Sequence, residues 1–429
     1  MASERMFNLT SASALFKIKY EKLSENVYNS ANVLLGRVKK TYNFTGKELA
    51  ISIPQSFSGG VGSGTLPKAN TAIYGDARIT AKKMYAVVEI DRESIKAALS
   101  DEGAFVRATK EVVQKGVESF MRNLSRALFN DGTGKLGTSL EVASSDAKAA
   151  TLAADSDGNI VIPIQDFKEA NFEERDLVDI VTSASAASGA VTLSQKEIVA
   201  VDLDEANVGD PAHNPTVSIK GVSTTNFEDG SGNLKSAEIF MQGSKDKDPQ
   251  GLKLLDKSSG SSYGITHGRR WKSVQKAAGG SAISTDMLNE VMLKVKKSSG
   301  KSPNLIVCSF KQYEKILNLL EDQKRYTVQT RSGLKSKSGA DISFSGVEFM
   351  SVDGPVGIFP ERFVEDDRIY LLNDNQIHIH HRPDFGWFDD DGTVFLRKAD
   401  SDAYEARYGG YLECYINPCF HAVISGLSV

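Results

Sequence analysis

Apolar and polar residues alternate over two stretches near the start of the chain, and this alternation predicts paired strands. Leu49, Ile51 and Ile53 alternate with small or polar residues, and Pro54 is expected to end that strand. The chain returns through a second alternating stretch over 73–90, which includes Ile73, Ala77, Ile79, Tyr85, Val87 and Glu89. We therefore expect one long strand opposite the first, in an extended hairpin.

The predicted hairpin has a tip rich in glycine. Gly59, Gly60, Gly62 and Gly64 fall within six residues. Glycine loses more backbone entropy on ordering than any other residue, so such a segment is unfavourable in a regular helix or strand. The sequence therefore predicts a mobile tip between the two strands.

A long amphipathic helix is predicted over 102–130. At about 100° per residue, its apolar face collects Phe105, Thr109, Val112, Gly116, Phe120, Leu124 and Ala127. At about 1.5 Å per residue the helix spans roughly 40 Å, well beyond an ordinary helix. Its polar face carries five basic side chains, Arg107, Lys110, Lys115, Arg122 and Arg126, against Glu111 and Glu118. This face either meets nucleic-acid phosphates or is solvated with ion pairs at helical spacing, and both interpretations stay open.

The rest of the chain divides by residue pattern. Residues 1–45 show a loose helical spacing and are interpreted as an N-terminal arm. Residues 137–250 contain short strand signals separated by turn residues, which predicts a small β sandwich or barrel inserted into the chain. The pattern then turns to α/β, with a helix over 285–297 and a second helix that begins at a Ser309–Gln312 capping box.

Composition and charge narrow the class of protein. The 429 residues are 40% hydrophobic and 25% charged, which is ordinary for a soluble globular chain of two or three domains. A formal net charge of −4 argues against nucleic-acid binding through overall basicity. No apolar stretch has the length of a signal peptide core or a membrane span. Three scattered cysteines do not make a disulfide framework, so reduced thiols in a cytosol are expected.

Three short motifs suggest ligand or catalytic sites, but each fits a simpler structure better. GTGK over 132–135 lacks the spacing of a phosphate loop, and DSDGN over 155–159 lacks the glycine position of a calcium loop. Both are therefore predicted to be turns. Cys414 and Cys419 have no base at motif spacing, which argues against a nucleophilic thiol.

The histidines of HIHH are the strongest enzymatic alternative. His378 and His380 alternate onto one face of a strand, which we take to be an edge strand, and with Asp384 or Asp389 they would ligate the metal of a hydrolase. Spacing fixes no third ligand. We therefore expect no catalytic residue, no metal and no cofactor, and a protein that is not an enzyme.

Several phrases, in this order, resemble the major capsid proteins of tailed bacteriophages with the Hong Kong 97-type fold. They are NFTGKE before the hairpin, VEIDRESIKAALSDEGAFV before the long helix, LFNDGTGKLG after it, and AYEARYGGYLECYINPCFHAVISGL near the end. The resemblance covers nearly the whole length. It implies an α+β fold made of an N-terminal arm, an extended loop, a peripheral domain with a long spine helix, and an axial domain, here with an inserted β-rich domain.

The resemblance assigns each stretch of the chain to a domain. The arm is 1–45 and the extended hairpin loop is 46–80. The spine helix is 102–130, the inserted β-rich domain is 137–250, the peripheral domain is 81–136 with 370–400, and the axial domain is 251–369 with 401–429.

The resemblance also implies a function. Copies would form pentamers and hexamers of an icosahedral or prolate phage head, assembled in the host bacterial cytoplasm and present in the virion. Scaffolding and portal proteins, and as a further option decoration proteins, are the expected partners, with double-stranded DNA held by non-specific contact and no membrane. The expected inter-subunit loop is Phe57, Ser58, Gly59, Gly60, Val61, Gly62, Ser63 and Gly64, and the candidate genome-facing residues are the five basic residues of the spine helix. An encapsulin-type compartment, which encloses enzymes, is the alternative shell.

Overall fold

The chain forms two compact units in a computed structural model. The first unit, here called the body, comprises residues 1–129 and 249–429, and the second comprises 130–248. The structure describes residues 33–42, 44, 48–56, 73–92, 102–140, 154–165, 167–182, 191–202, 215–227, 236–268, 270–322, 334–335, 341–342, 347–351, 354–388, 394–398 and 401–429, with only the backbone for 55–56, 91, 102–113, 169, 320–322, 334–335, 341–342, 347–348 and 383–384. None of the helices in these ranges is both long and apolar enough to cross a membrane.

The secondary structure of the described residues is mixed. The α-helices are α1 (Val33–Arg37), α2 (Glu102–Phe129), α3 (Thr285–Ser299) and α4 (Phe310–Asp322). The strands are β1 (Lys39–Tyr42), β2 (Glu48–Ser56), β3 (Ile73–Thr80), β4 (Lys82–Asp91), β5 (Lys135–Thr138), β6 (Ile160–Pro163), β7 (Leu177–Val181), β8 (Leu193–Asp202), β9 (Thr216–Ile219), β10 (Glu238–Met241), β11 (Ser261–Ser262), β12 (Ile265–Thr266), β13 (Val274–Ala277), β14 (Leu305–Cys308), β15 (Leu334–Lys335), β16 (Asp341–Ile342), β17 (Val347–Ser351), β18 (Gly354–Pro360), β19 (Ile369–Leu372), β20 (Ile377–Trp387), β21 (Leu396–Arg397), β22 (Ala403–Ile416) and β23 (Ala422–Ser425).

The long helix α2 packs on a five-stranded sheet of the body, the spine sheet. The order of its strands is β1-β20-β22-β21, and β4 also pairs with β22. Gly116 allows close packing, because a Cβ there would overlap the side chain of Val88 on β4. Phe120 packs edge-on against Tyr408 of β22, with ring centroids 5.2 Å apart. The helix is therefore fixed along one face of this sheet.

The predicted hairpin is a two-stranded antiparallel ribbon, but it is shorter than the sequence pattern suggested. β2 pairs with β3 from Glu48↔Thr80 to Ser56↔Ile73, and β4 instead pairs with β22. The expected single strand over 73–90 is thus two strands in different sheets. Pro54 does not end β2, because both strands of a ribbon are edge strands and an edge position tolerates the missing N–H.

A second sheet of the body, the axial sheet, has six strands in the order β13-β23-β19-β14-β18-β17. Helix α3 has Ser284 as its N-cap, whose side chain accepts the Met287 N–H, and Gly300 as its C-cap, with a φ of 77°. Ser309 accepts the Gln312 N–H at 3.3 Å, which is one half of the expected capping box. The Gln312 amide instead donates to the carbonyls of Asp366 and Ser428, both at 2.8 Å.

The strand pairing brings together stretches that the sequence analysis assigned to different domains. The sequence assigned 401–429 to the axial domain, yet β22 lies in the spine sheet between β20 and β4, and only β23 reaches the axial sheet. Conversely β19 lies in the axial sheet, although 370–400 was assigned to the peripheral domain. β22 and β23 are adjacent in sequence but lie in different sheets, because each packs into a different hydrophobic core.

Residues 130–248 fold into a closed antiparallel β barrel, here called the barrel. Its order is β5-β10-β7-β8-β9-β6, and a bridge between Ser139 and Ile164 joins the two end strands. Leu140 N–H donates to the Pro163 carbonyl and Gln165 N–H donates to the Thr138 carbonyl, both at 2.9 Å. Of the two expected architectures, this is the barrel. Its interior is apolar and includes Ile162, Phe172, Val178, Ile180, Ile198, Val217, Ile219, Phe227 and Ile239.

Candidate assembly surfaces

The base of the ribbon is attached to the body through an aromatic cluster. Ala77 and Ile79 of β3 are buried against Trp271, Ile265 and Tyr415. The turn between β11 and β12 adds a polar link, because the Tyr263 carbonyl accepts the Arg78 N–H at 2.9 Å. The base of the ribbon is therefore held by both apolar packing and a main-chain hydrogen bond.

The apolar face of the ribbon continues beyond the part that the body covers. Ile73 shares this face with Ala77 and Ile79, since side chains alternate along a strand, yet it is 56% exposed. The neighbouring Tyr74 is 60% exposed. The tip that the sequence analysis singled out, 57–64, lies outside the described residues.

The outer face of the spine sheet, away from α2, carries a second exposed apolar surface. Met84, Ala86 and Val88 are the buried residues of β4, whereas Tyr85 is 44% and Val87 is 59% exposed. The sequence pattern places Tyr85 and Val87 on one face of the strand but does not show which face packs. Alternation alone does not tell which of two apolar faces is covered.

Aromatic and cationic side chains surround Tyr85. Its ring lies 5.5 Å from that of Phe388, and the Lys83 ammonium lies 5.7 Å from the ring of Tyr411. Burial and then a hydrogen bond with the Tyr411 hydroxyl raise the pKa of Tyr85 to about 12. We call this surface, made of Tyr85, Val87, Phe388 and Tyr411, the outer patch. The patch carries hydroxyl groups among apolar carbon and borders the cationic Lys83.

The basic face predicted for α2 is smaller in the structure. Lys115 is exposed and Arg122 is half-buried, while the side chains of Arg107 and Lys110 lie outside the described residues. Arg126 is only 3% exposed and does not belong to an exposed face. The last turns of α2 are buried on every side, so a helical wheel with one polar face fails there. Glu118, an acidic residue of the same polar face, accepts a hydrogen bond from the Gln114 amide at 2.8 Å.

Helix α1 and β1 hold the start of the described chain. Leu34 and Leu35 are 1% and 0% exposed, and β1 runs parallel to β20 in the spine sheet. Arg37 forms an ion pair with Asp374 at 3.2 Å. Burial raises the pKa of Glu361 to about 7, even though its carboxylate accepts the Val33 N–H. The segment 33–42 is thus anchored by apolar, ionic and main-chain contacts.

The histidines of HIHH lie in the sheet interior and not on an edge strand. β20 pairs with β1 on one side and with β22 on the other, so the edge-strand expectation was wrong. Burial and then the neighbouring His378 and His381 lower the pKa of His380 to about 4, which keeps the ring neutral. The described residues contain no cluster of three His, Cys, Asp or Glu side chains that could hold a metal ion. Asp389 and the side chain of Asp384 lie outside the described part.

The remaining motifs are turns or buried thiols. Asp131 accepts the Thr133 N–H at 3.1 Å in GTGK, and Asp155 accepts the Asn159 N–H at 2.8 Å in DSDGN. Cys414 is fully buried, and burial raises the pKa of its thiol. These contacts are structural, as the sequence analysis expected for both turns.

Two features of these surfaces were missed from the sequence. One is the Tyr263–Gly264 turn that holds the ribbon, because tyrosine is an unusual residue at the first position of a two-residue hairpin turn and only Gly264 signals it. The other is the outer patch, whose members lie on three separate stretches of the chain. Only the strand pairing brings those stretches together.

Comparison with known proteins gives a family model and a fold. Residues 222–388 match the model described as SU10 major capsid protein. The cyanophage A-1(L) capsid is similar over 94% of both chains, with a TM-score of 0.51 and 10% identity, which indicates a shared fold. A Mycobacterium phage Bobi structure covers 92% of this chain and 90% of its own, with 11% identity and a TM-score of 0.40. No curated protein matches the chain. The family match over 222–388 and the shared Hong Kong 97-type fold support a tailed-phage major capsid protein, a structural subunit of the virion shell.

Proposed function

We propose that copies of the chain close into rings of five and six that tile the shell, and that the ribbon is the arm with which one subunit contacts the next. The observation that carries this proposal is the apolar face of the ribbon. Its base is buried on Trp271 and Tyr415, whereas Ile73 farther along the same face is 56% exposed. Burying apolar surface stabilises by about 25 cal/mol per Å², so such a face favours a partner.

The outer patch of a second copy is the surface that we assign to this ribbon. Val87 is 59% exposed and Tyr85 is 44% exposed, on a sheet whose other face already packs on α2. Two apolar surfaces of this kind on one chain allow a head-to-tail contact, and head-to-tail contacts close into rings when the rotation permits. Many weak contacts then act together in a shell.

A pair of substitutions tests this contact. Ile73→Ser and Val87→Ser each remove exposed apolar surface, so we expect both to leave the subunit folded and to reduce the yield of closed particles at least tenfold. Leu293→Ser is the matched control, because Leu293 is 46% exposed on α3 and has no place in the proposed contact. Particle yield is measured by sedimentation and electron microscopy, and folding by thermal unfolding of the unassembled subunit.

The outcome that overturns the contact is normal particle yield from both variants. The tip itself is tested by deleting 58–65, which should also give a folded subunit without closed shells. Normal shells from that deletion would contradict a role for the tip.

We further infer that the shell encloses double-stranded DNA, held by non-specific contact, and that scaffolding and portal proteins assist its assembly. Lys115 and Arg122 of α2 support the DNA contact, because they carry positive charge along a long rigid element. Nuclease treatment of purified particles separates the two kinds of shell. Protected DNA of uniform length supports a phage head, whereas protein cargo without DNA supports the encapsulin-type alternative.

A further inference from the structure

One stretch of the body, next to the ribbon, carries only positive charge. Residues 257–285 contain five Lys and Arg and no Asp or Glu. The short hairpin of β11 and β12 lies within this stretch, and the Gly260 carbonyl accepts the His267 N–H at 2.8 Å, which extends the pairing by one residue on each strand. The segments that precede and follow the hairpin are therefore brought together at its open end.

Three exposed basic residues flank this hairpin. Lys257 precedes β11, and Arg270 and Lys272 follow β12. Trp271 is buried between the last two, and its Nε1–H donates to the Ser262 hydroxyl at 2.9 Å. This inward anchor leaves its two neighbours at the surface. We call the surface made of Lys257, Arg270 and Lys272 the basic surface.

The surrounding charges show that Lys257 and Lys272 act on the same region. Burial and then the positive charges of these two residues lower the pKa of His267, which lies between them in the chain. Asp256 directly precedes Lys257, but its carboxylate forms an ion pair with Arg368. The negative charge of Asp256 is thus balanced by a cation outside the basic surface.

Phosphate groups are the ligand that this chemistry fits. Lys and Arg side chains, hydroxyls and main-chain N–H groups contact DNA phosphates without reading the bases. The exposed residues after Lys257 supply hydroxyls from Ser258, Ser259 and Ser261. Double-stranded DNA carries one negative charge per roughly 1.7 Å of its axis, so several cations of one surface can meet phosphates of one duplex.

We propose that the basic surface, with the serines beside it, binds the backbone phosphates of the DNA inside the shell. This proposal rests on the enclosure of DNA proposed above and adds a binding surface outside α2. It also connects DNA to the ribbon, because the Tyr263 carbonyl in the same hairpin accepts the Arg78 N–H at 2.9 Å. A phosphate ligand relieves the repulsion among the like charges that flank the hairpin, so binding should stabilise this attachment.

Binding of a short fluorescein-labelled DNA duplex to the unassembled subunit tests the basic surface, with anisotropy measured over a range of salt concentrations. Lys257→Ser, Arg270→Ser and Lys272→Ser together should lower the affinity about tenfold or more at low salt. The slope of affinity against salt on logarithmic axes should fall by up to about 3, since each phosphate contact contributes about 0.9. Lys257→Arg, Arg270→Lys and Lys272→Arg keep the charge and form the matched control, which should bind as the wild type does. All three positions are exposed, so both variants should unfold at the wild-type temperature.

Hydrogen exchange locates the contact on the chain. The duplex should slow the exchange of amides in 257–272 and of the Arg78 amide in the wild type, but not in the serine variant. Unchanged DNA affinity in the serine variant would overturn the proposal, and so would a loss of polyglutamate binding without a loss of DNA binding, which would assign the surface to an acidic protein. If purified particles still protect DNA, either result removes only this surface, whereas particles without DNA would overturn the enclosure of DNA as well.

Discussion

The Tyr263 hydroxyl donates to the Cys414 carbonyl at 2.7 Å and accepts the Ile416 N–H at 3.3 Å. The carbonyl of the same tyrosine accepts the Arg78 N–H at 2.9 Å, so one residue links the ribbon to β22. Tyr263 has a φ of 51°, a left-handed conformation that is unusual for a residue with a side chain. Its hydroxyl and its carbonyl are both hydrogen-bonded, and these bonds stabilise the left-handed conformation.

Tyr263→Phe should therefore loosen the ribbon without unfolding the body. The variant loses two hydrogen bonds at a buried site, which costs about 1–3 kcal/mol. Denaturant unfolding of the unassembled subunit measures the loss, and faster hydrogen exchange of the β3 amides locates it. Tyr42→Phe is the matched control, because Tyr42 is 64% exposed and should change the unfolding free energy little. Equal unfolding curves for all three proteins would contradict a tethering role for the hydroxyl.

Gly409 allows β22 and β4 to approach each other closely. A Cβ at this position would overlap the Met84 carbonyl, and a backbone atom cannot move aside as a flexible side chain can. Gly409→Ala should destabilise the subunit by about 1–3 kcal/mol or more, because an added methyl group forces the two strands apart.

The control for this prediction is Gly268→Ala. A Cβ at Gly268 meets no atom within 4 Å, so the change should stay within about 0.5 kcal/mol of the wild type. Thermal unfolding of the three unassembled subunits is the measurement. A Gly409→Ala subunit as stable as the Gly268→Ala subunit would show that the spine sheet can open at this point without cost.

Burial of His421 makes stability depend on pH. Its Nδ1 accepts the Asn373 N–H at 3.1 Å, and complete burial lowers the pKa of the ring from 6.5 to about 3. Between these values the unfolded chain binds the proton and the folded chain does not, so stability is lost as the pH falls below 6.5. The expected loss is on the order of 1 kcal/mol per pH unit between about pH 6 and pH 4. His380, whose pKa is lowered to about 4, acts in the same direction.

Glu361 opposes this effect. Its pKa is raised from 4.5 to about 7 by burial, so the folded chain binds the proton in that interval and the added stability is lost as the pH rises from 4.5 to 7. Glu361→Gln keeps the side chain neutral and removes this contribution. The variant should therefore lose more stability than the wild type between pH 7.5 and pH 5, as measured by denaturant unfolding. A shallower loss in the variant would contradict the assignment of a protonated Glu361.

The long helix and the ends of α3 were predictable because their signals are local. The expected helix over 102–130 is found at Glu102–Phe129, since a strong amphipathic repeat needs no tertiary contact to be recognised. Helix α3 was expected over 285–297 and spans Thr285–Ser299, and the C-terminal signal at Gly300 is again local.

The contacts between distant stretches were not predictable from those signals. β1 pairs with β20, more than 300 residues away, and β22 joins the spine sheet although its neighbour β23 joins the axial sheet. The burial of Arg126 has the same origin, because a wheel drawn from α2 alone does not contain the elements that cover its last turns. The candidate assembly surfaces depend on such pairings, so the sequence pattern predicted the ribbon but not the outer patch.

The basic residues of α2 give the last prediction, which concerns packaged DNA. Arg107→Ser, Lys115→Ser and Arg122→Ser together remove three positive charges from the spine, so DNA-filled particles should form with less DNA. Each lost phosphate contact lowers the slope of DNA affinity against salt by about 0.9 on logarithmic axes, so the slope should fall by up to about 3. The control is Lys294→Ser, Lys296→Ser and Lys297→Ser, which removes three exposed charges from α3. DNA length per particle and DNA release against salt are the measurements, and equal values for both triple variants would exclude a genome-facing role for α2.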